Sequence, residues 1–243
     1  MKITNLGTST QASFYVATAL YKQMLHKKES KLGLATGGTM LDMYESLVTL
    51  LDKNQLDVSQ VETFNLDEYI GLTAEHPASY HQYMNHILFD QYEGFDPLKC
   101  HLPNGAAEDP ECEAARYESL LDERGPVDIQ ILGIGQNGHI GFNEPGTPFD
   151  SVTHCVDLTE STIEANSRYF DDKADVPKQA ISMGLRSIMK AKRIILLAFG
   201  EQKKEAITQL ATGNITPDVP ATILHLHPNV EVYVDDAAMP DLS

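Results

Sequence analysis

The 243-residue sequence is poor in basic residues, because 18 Lys and Arg stand against 35 Asp and Glu and give a formal net charge of −17. Nucleic acids and anionic membranes are bound mainly through clustered Lys and Arg. The charge balance therefore argues against both as main partners. It also makes each of the few cations informative.

Cysteine is scarce as well. Cys100, Cys112 and Cys155 are an odd number, widely spaced, and form no CxxC or paired Cys/His motif. A disulfide framework or a zinc site is therefore not expected, and the cysteines fit a reducing cytosol. The first residues hold no apolar signal core, and no run approaches the ~18 apolar residues of a membrane helix. We expect a cytoplasmic protein without membrane contact.

Short apolar runs alternate with segments of helical periodicity along the whole chain. Residues 32–35, 128–132 and 193–199 are typical of buried strands. We also expect one strand over residues 61–69, and a segment over residues 179–191 that becomes helical. Long linkers, repeats and low-complexity tracts are lacking. The pattern predicts a single α/β domain over residues 1–243, with three layers and a mostly parallel sheet, although the length also permits two domains.

The run from Ile131 to Gly146 predicts a strand that ends in a glycine-rich bend with several polar residues. Polar groups just past the carboxyl end of a buried strand are where open α/β sheets hold their ligands. The polar residues of this bend are Asn137, His139, Asn143 and Glu144.

Within this bend, the spacing of three glycines matches GxGxxG, the dinucleotide-binding motif. That motif must open a long helix, whereas here Gly141, Pro145 and Pro148 follow within ten residues. A dinucleotide site is therefore disfavoured. His139 and Glu144 are either structural polar residues of a loop or a proton-transfer pair, and a histidine among glycines has no apolar face that would make it a core residue.

Two other motifs each permit either a purely structural or a functional interpretation. Gly37, Gly38 and Thr39 form either an ordinary turn between strand and helix or an anion-binding turn. Asp67 and Glu68 are either solvated loop residues or include a carboxylate base. Strand alternation places these two acids on opposite faces, so only one of them should face a site.

Arg168 and Lys203 lie at or near predicted helix ends. Most such cations are solvated surface residues. They gain interest here because phosphate recognition favours cations that converge on a glycine turn.

Five motifs in order, LGLATGGT, FNLDEYIGL, LGIGQNGHIGFNEPG, ANSRYF and GEQK, resemble the glucosamine-6-phosphate deaminase family over essentially the whole chain. The resemblance implies a Rossmann-like fold shared with sugar-phosphate isomerases and lactonases. It also implies an enzyme of amino-sugar metabolism that converts glucosamine 6-phosphate to fructose 6-phosphate and ammonia, without cofactor or metal.

The resemblance further implies a role for each matching residue. Asp67 matches the base for enolisation, and His139 matches the ring-opening acid/base. Asn137 and Glu144 match the two residues that hold the imidazole of that histidine. The phosphate turn is matched by Gly37, Gly38 and Thr39, and the phosphate-binding cations by Arg168 and Lys203.

The sequence departs from the long, hexameric members of this family at two places. Many of them carry an aspartate where this chain has Asn137, which leaves an orienting hydrogen bond but no charge relay. They also have basic residues where this chain has His154 and Val156, and they have a C-terminal extension that it lacks. We therefore expect a monomer of the short Gram-positive type that N-acetylglucosamine 6-phosphate does not activate.

Two rival functions remain open. A 6-phosphogluconolactonase would share the fold and a glycine-histidine loop, and a catalytically silent sensor domain would bind a sugar phosphate without turnover. Against the sensor, no helix-turn-helix segment accompanies the fold, and both Asp67 and His139 are present.

Overall fold

The computed structural model describes residues 1–170 and 172–240. In these two ranges the strands are β1 (Lys2–Asn5), β2 (Lys31–Leu34), β3 (Glu62–Asn65), β4 (Asp67–Tyr69), β5 (Cys100–His101), β6 (Ile129–Gly133), β7 (His154–Asp157), β8 (Gln179–Ser182), β9 (Ile194–Ala198) and β10 (Val230–Val234). The α-helices are α1 (Ser9–His26), α2 (Leu41–Asn54), α3 (Tyr80–Met84), α4 (Pro110–Arg124), α5 (Glu160–Asn166), α6 (Leu185–Ile188) and α7 (Lys204–Ala211).

Seven strands form one parallel sheet in the order β1-β10-β9-β6-β2-β3-β5. Right-handed crossovers place α1, α2 and α3 on one face of this sheet and α4, α6 and α7 on the other. Contacts between α1 and α2 agree with their common side. The predicted α/β fold with a mostly parallel sheet is confirmed.

The elements follow from local sequence. The five residues of β9, IILLA, are all buried, as expected for a central parallel strand covered on both faces. The start of α1 is fixed by a capping box in which the Thr8 side chain accepts from the Gln11 backbone and the Gln11 side chain accepts from the Thr8 backbone. Each large apolar side chain fully buried in this core contributes about 1.5–3 kcal/mol.

A second, antiparallel sheet of three strands, β4-β8-β7, lies beside the main one and was not predicted. The predicted strand over residues 61–69 is in fact two strands, because the chain leaves the main sheet at Leu66 and pairs Asp67 with Ser182. The segment over residues 179–191 becomes helical at α6, as expected, but it begins as a strand. Gln179–Ser182 is β8, and its two pairings supply the backbone hydrogen bonds that a helix would otherwise make.

The topology creates a crevice at one edge of the main sheet. β2 and β6 are neighbours, but the connections that follow them leave on opposite faces of the sheet. Such a switch point opens a gap outside the carboxyl ends of the strands, where open α/β sheets bind ligands. Strand β3 lies on one side of this pair and β9 on the other, so four strand ends converge there.

Across residues 1–170 and 172–240, no helix combines the length and apolar character needed to cross a membrane.

Candidate active site

A cleft of about 1230 Å³ occupies this crevice. The four converging strands each supply a residue near its rim: Gly37 follows β2, Asp67 follows β3, His139 follows β6 and Lys203 follows β9. Of the nine residues to which the family resemblance gives a role, eight line the cleft, namely Gly37, Gly38, Thr39, Asp67, Asn137, His139, Arg168 and Lys203. The ninth, Glu144, lies behind His139 and contacts its ring.

The glycine turn after β2 opens directly into the cleft. Gly37 has a φ of 99°, which favours glycine, and a short 3-10 turn over Gly38–Met40 then leads into α2. The first N–H groups of a helix lack intrahelical acceptors, so this turn presents free donors to an anion. The Tyr83 hydroxyl on α3 donates to the Gly37 carbonyl at 2.8 Å and stabilises the turn.

Two cations meet near this turn. Arg168 lies on a 3-10 turn that continues α5, and Lys203 ends the 3-10 turn that precedes α7. Both side chains line the cleft, and burial together with the positive charge of Arg168 lowers the pKa of Lys203. Within the described residues, neither of them forms an ion pair with a carboxylate. The turn and both cations together suit a phosphate group.

Asp67 and Glu68 behave differently, as strand alternation predicts. Asp67 lines the cleft, and burial, reinforced by the negative charge of Glu68, raises its pKa to about 8. The buried Glu68 carboxylate turns away and accepts from the backbone N–H groups of Tyr69 at 2.9 Å and of Tyr80 and His81 at 3.0 Å, and from the His81 ring at 2.9 Å. Of these two acids, only Asp67 is therefore available as a proton acceptor in the cleft.

His139 is held by the loop that follows β6. Its Nδ1 lies 3.2 Å from Glu144 Oε2, while its backbone N–H donates to Asn137 Oδ1 at 3.2 Å. Asn137 Nδ2 in turn donates to Glu144 Oε2 at 2.8 Å. Of the two residues expected to hold the imidazole, Glu144 contacts the ring. Asn137 braces the Glu144 carboxylate and the backbone of His139 instead.

The His139 ring packs directly over Gly135. A Cβ at Gly135 would lie 2.4 Å from the ring nitrogen Nε2. Glycine is therefore required here by close approach, which explains part of the glycine spacing that resembles a dinucleotide motif. With Nδ1 turned to Glu144, Nε2 is the ring nitrogen left for a ligand.

Glu144 is 9% exposed and remains ionised. Burial alone would raise its pKa, but hydrogen bonds and the positive charge available from His139, with further bonds from Thr162 and Asn137, lower it to about 2. A fixed negative charge at Nδ1 keeps the His139 ring in one orientation and favours the tautomer with its proton on Nδ1.

Aromatic rings form one wall of the cleft. Tyr69 and Tyr80 have ring centroids 4.9 Å apart, and Tyr80 stacks on Phe142 at 6.1 Å. Tyr83 and Tyr169 also line the cleft. Apolar walls of this kind keep water from the carboxyl group of Asp67 and agree with its raised pKa.

Sequence reasoning missed the residues that support this site. Tyr83, Thr159 and Thr162 contact site residues across long sequence separations, and the sequence carries no local signal for those contacts. A threonine that precedes a helix is a cap candidate, and Thr159 does cap α5, but a cap gives no indication of its contact with Glu144.

The fold and cleft are those of an α/β enzyme that handles a phosphorylated small molecule. Residues 7–233 match the model of the family described as glucosamine-6-phosphate isomerases/6-phosphogluconolactonase. The chain belongs to this family.

Curated relatives match over the full length. A glucosamine-6-phosphate deaminase of Staphylococcus saprophyticus is 68% identical over 242 residues, covering 100% of both chains. One from Staphylococcus aureus is 66% identical over 240 residues, covering 99% of this chain and 95% of the relative.

Solved structures agree with this placement. A monomeric glucosamine-6-phosphate deaminase superposes with a TM-score of 0.96 at 46% identity, with 98% of each chain covered. The 6-phosphogluconolactonase of Leishmania guyanensis gives a TM-score of 0.76 at 18% identity, over 98% of this chain and 97% of that one, and shares the fold.

Proposed function

We propose that this chain converts glucosamine 6-phosphate and water to fructose 6-phosphate and ammonia. One observation carries the proposal: a single cleft unites the buried acid Asp67, the Glu144-oriented His139 and the glycine turn with its two cations. The names of relatives that are 66–68% identical over 95–100% of their lengths support the same reaction.

The proposed first step is ring opening at His139. With the phosphate held at Gly37–Thr39 by the turn, Arg168 and Lys203, the anomeric carbon is directed toward the histidine loop. His139 Nε2 accepts the proton of the anomeric hydroxyl and returns one to the ring oxygen, which yields the open-chain aldehyde. The Glu144 carboxylate stabilises the imidazolium that forms between the two transfers.

The proposed second step is proton transfer by Asp67. As a carboxylate, Asp67 removes the C2 proton, which the neighbouring aldehyde has acidified. The aldehyde oxygen takes a proton from the substrate's own ammonium group and becomes the C1 hydroxyl of an enolamine. Asp67 then delivers its proton to C1. The product is a C2 imine. Water adds at C2, the amine leaves as ammonia, and the ketone of fructose 6-phosphate remains. Every proton and electron pair is accounted for by the substrate, water and the two side chains.

The lactonase alternative is tested by the same sample. An assay that couples ammonia release to a second enzyme should register turnover with glucosamine 6-phosphate. Absence of ammonia together with hydrolysis of 6-phosphogluconolactone would reverse the assignment. Binding of glucosamine 6-phosphate without turnover of either compound would favour the sensor interpretation.

The proposal also includes a monomer without activation by N-acetylglucosamine 6-phosphate. His154 and Val156 lie on β7, where the resemblance to long members leads one to expect cations. A structural relative at 46% identity is described as monomeric. An enzyme of this type should follow simple saturation kinetics.

A further inference from the structure

The two oxygens of Glu144 face different parts of the molecule. Oε2 is occupied by the His139 ring and Asn137, as described above. Oε1 accepts from the hydroxyl of Thr162 and lies 3.1 Å from that of Thr159. Ring opening uses only the Oε2 side, so the mechanism gives the Oε1 side no role beyond the bond from Thr162 that helps to keep Glu144 ionised.

Both threonines belong to the first turn of α5. Thr159 is its N-cap, and its side chain accepts from the Thr162 backbone N–H. Its single hydroxyl proton is shared between Glu144 Oε1 and Thr162 Oγ1, which lies at 3.0 Å. Thr162 is only 5% exposed and makes the closer contact with Glu144. The carboxylate therefore anchors the beginning of the helix.

The other end of the same segment carries Arg168. It follows Thr162 by six residues, which is about 9 Å of helical rise, and its Nε donates to the Ala165 carbonyl at 2.8 Å. Arg168 thus takes its position from α5. No contact joins it to Glu144 directly within the described chain, so the first turn of α5 is the physical connection between them.

We propose that Thr162, assisted by Thr159, is a positioning residue that ties the carboxylate orienting His139 to the segment presenting Arg168 to the substrate phosphate. This inference rests on the proposed function. The buried Thr162 hydroxyl would then help to position the residues that contact the phosphate and the residue that acts at the anomeric carbon. Its loss should impair phosphate binding and ring opening together, although Thr162 itself does neither.

The chain offers a matched control for this idea. Thr153 is likewise 5% exposed, and its hydroxyl donates to the Glu118 carboxylate at 2.6 Å. Hydrogen bonds likewise hold the pKa of Glu118 at about 2, against the effect of its burial. Neither Thr153 nor Glu118 lines the cleft. Thr153→Val and Thr162→Val therefore delete the same type of bond, and only the second touches the site.

The experiment compares wild type, Thr162→Val, Thr162→Ser and Thr153→Val by kcat, KM, the inhibition constant of inorganic phosphate, and Tm. For Thr162→Val we expect kcat to fall at least tenfold and the phosphate constant to rise at least threefold. Thr162→Ser should restore both values to within about twofold of wild type. Thr153→Val should lower Tm alone.

Equal kinetics for Thr162→Val and Thr153→Val would overturn the proposal, as would a fall in kcat with an unchanged phosphate constant. If Thr162→Val does not fold, Thr162→Ala provides the same comparison. If the wild type releases no ammonia, the proposed function fails by itself. Calorimetric titration of the same variants with inorganic phosphate then still decides whether Thr162 positions Arg168.

Discussion

At the scale of single residues, the neighbouring acids Asp67 and Glu68 on β4 lie in opposite environments. Glu68 accepts four hydrogen bonds, whereas within residues 1–170 and 172–240 no donor hydrogen-bonds the Asp67 carboxyl. Burial and the nearby charge of Glu68 therefore disfavour the ionisation of Asp67, with no hydrogen bond from the described residues to offset them. An ammonium group on a bound substrate would supply the missing positive charge and promote ionisation where the base is needed.

Asp67→Asn should abolish proton exchange at C2 of the substrate while leaving binding of the sugar phosphate largely intact.

The same substitution should also stabilise the fold at high pH. The native pKa of about 8 exceeds the ordinary 3.8, so the native state retains a proton that the unfolded chain loses across this window. The free energy of unfolding of the wild type therefore falls as pH rises from about 4 to 8, by a few kcal/mol at most. Asp67→Asn has no titrating carboxyl at this position, so its stability does not show this fall.

Solvent-deuterium exchange and Tm at pH 5 and pH 8 test this prediction. The increase in Tm of Asp67→Asn over wild type should be larger at pH 8 than at pH 5, by about 2–4 °C for each kcal/mol of added stability. Asp90→Asn, an exposed substitution away from the cleft, is the control. Exchange at the wild-type rate would exclude Asp67 as the base.

Asn137→Asp should lower kcat about tenfold or more. The Asn137 amide donates to Glu144 at 2.8 Å, and a carboxylate in its place would put two negative charges in contact. The hydrogen bond to a charged group is worth about 1.5–3 kcal/mol, and about 1.4 kcal/mol corresponds to a factor of ten.

Steady-state kinetics against the exposed control Asn104→Asp would measure this effect. Activity at or above the wild-type level would show that Glu144 does not need a donor at this position.

At the scale of secondary-structure elements, α3 connects the base to the phosphate turn. Its first residues bind the Glu68 carboxylate, and Tyr83 near its end donates to the Gly37 carbonyl. Burial raises the pKa of Tyr83, so its hydroxyl keeps the proton that it donates. The helix therefore fixes the spacing between Asp67 and the turn.

Tyr83→Phe should raise KM about fivefold with kcat nearly unchanged, because one neutral hydrogen bond contributes about 1 kcal/mol and only the phosphate turn is released. Tyr92→Phe removes a similar bond, to the Leu56 carbonyl at 2.7 Å, away from the cleft. Its KM should match wild type. An unchanged KM in Tyr83→Phe, or a large fall in kcat, would contradict the expected role.

The sequence predicted the elements whose signal is local. Continuous apolar runs marked β2, β6 and β9, and glycines marked the turns that follow β2 and β6. The small antiparallel sheet was not predicted, because β4 and β8 are only three and four residues long and depend on each other for pairing. Strand alternation correctly separated Asp67 from Glu68. The contact of Thr162 with Glu144 could not be predicted, because it depends on where α5 docks.

At the scale of the whole molecule, we expect a monomer of 26.9 kDa with hyperbolic kinetics. Light scattering after size-exclusion chromatography should give that mass. Titration with N-acetylglucosamine 6-phosphate should leave the half-saturating concentration of glucosamine 6-phosphate unchanged, apart from simple competition. A sigmoidal rate curve that this ligand makes hyperbolic would refute the prediction.

The aromatic wall of the cleft makes binding visible without a label. The sequence contains ten tyrosines and no tryptophan, so the ultraviolet emission of the protein comes from tyrosine. Four of the ten, Tyr69, Tyr80, Tyr83 and Tyr169, line the cleft. A ligand that enters it changes the surroundings of a large share of the emitting rings, and the unmodified protein becomes its own optical reporter.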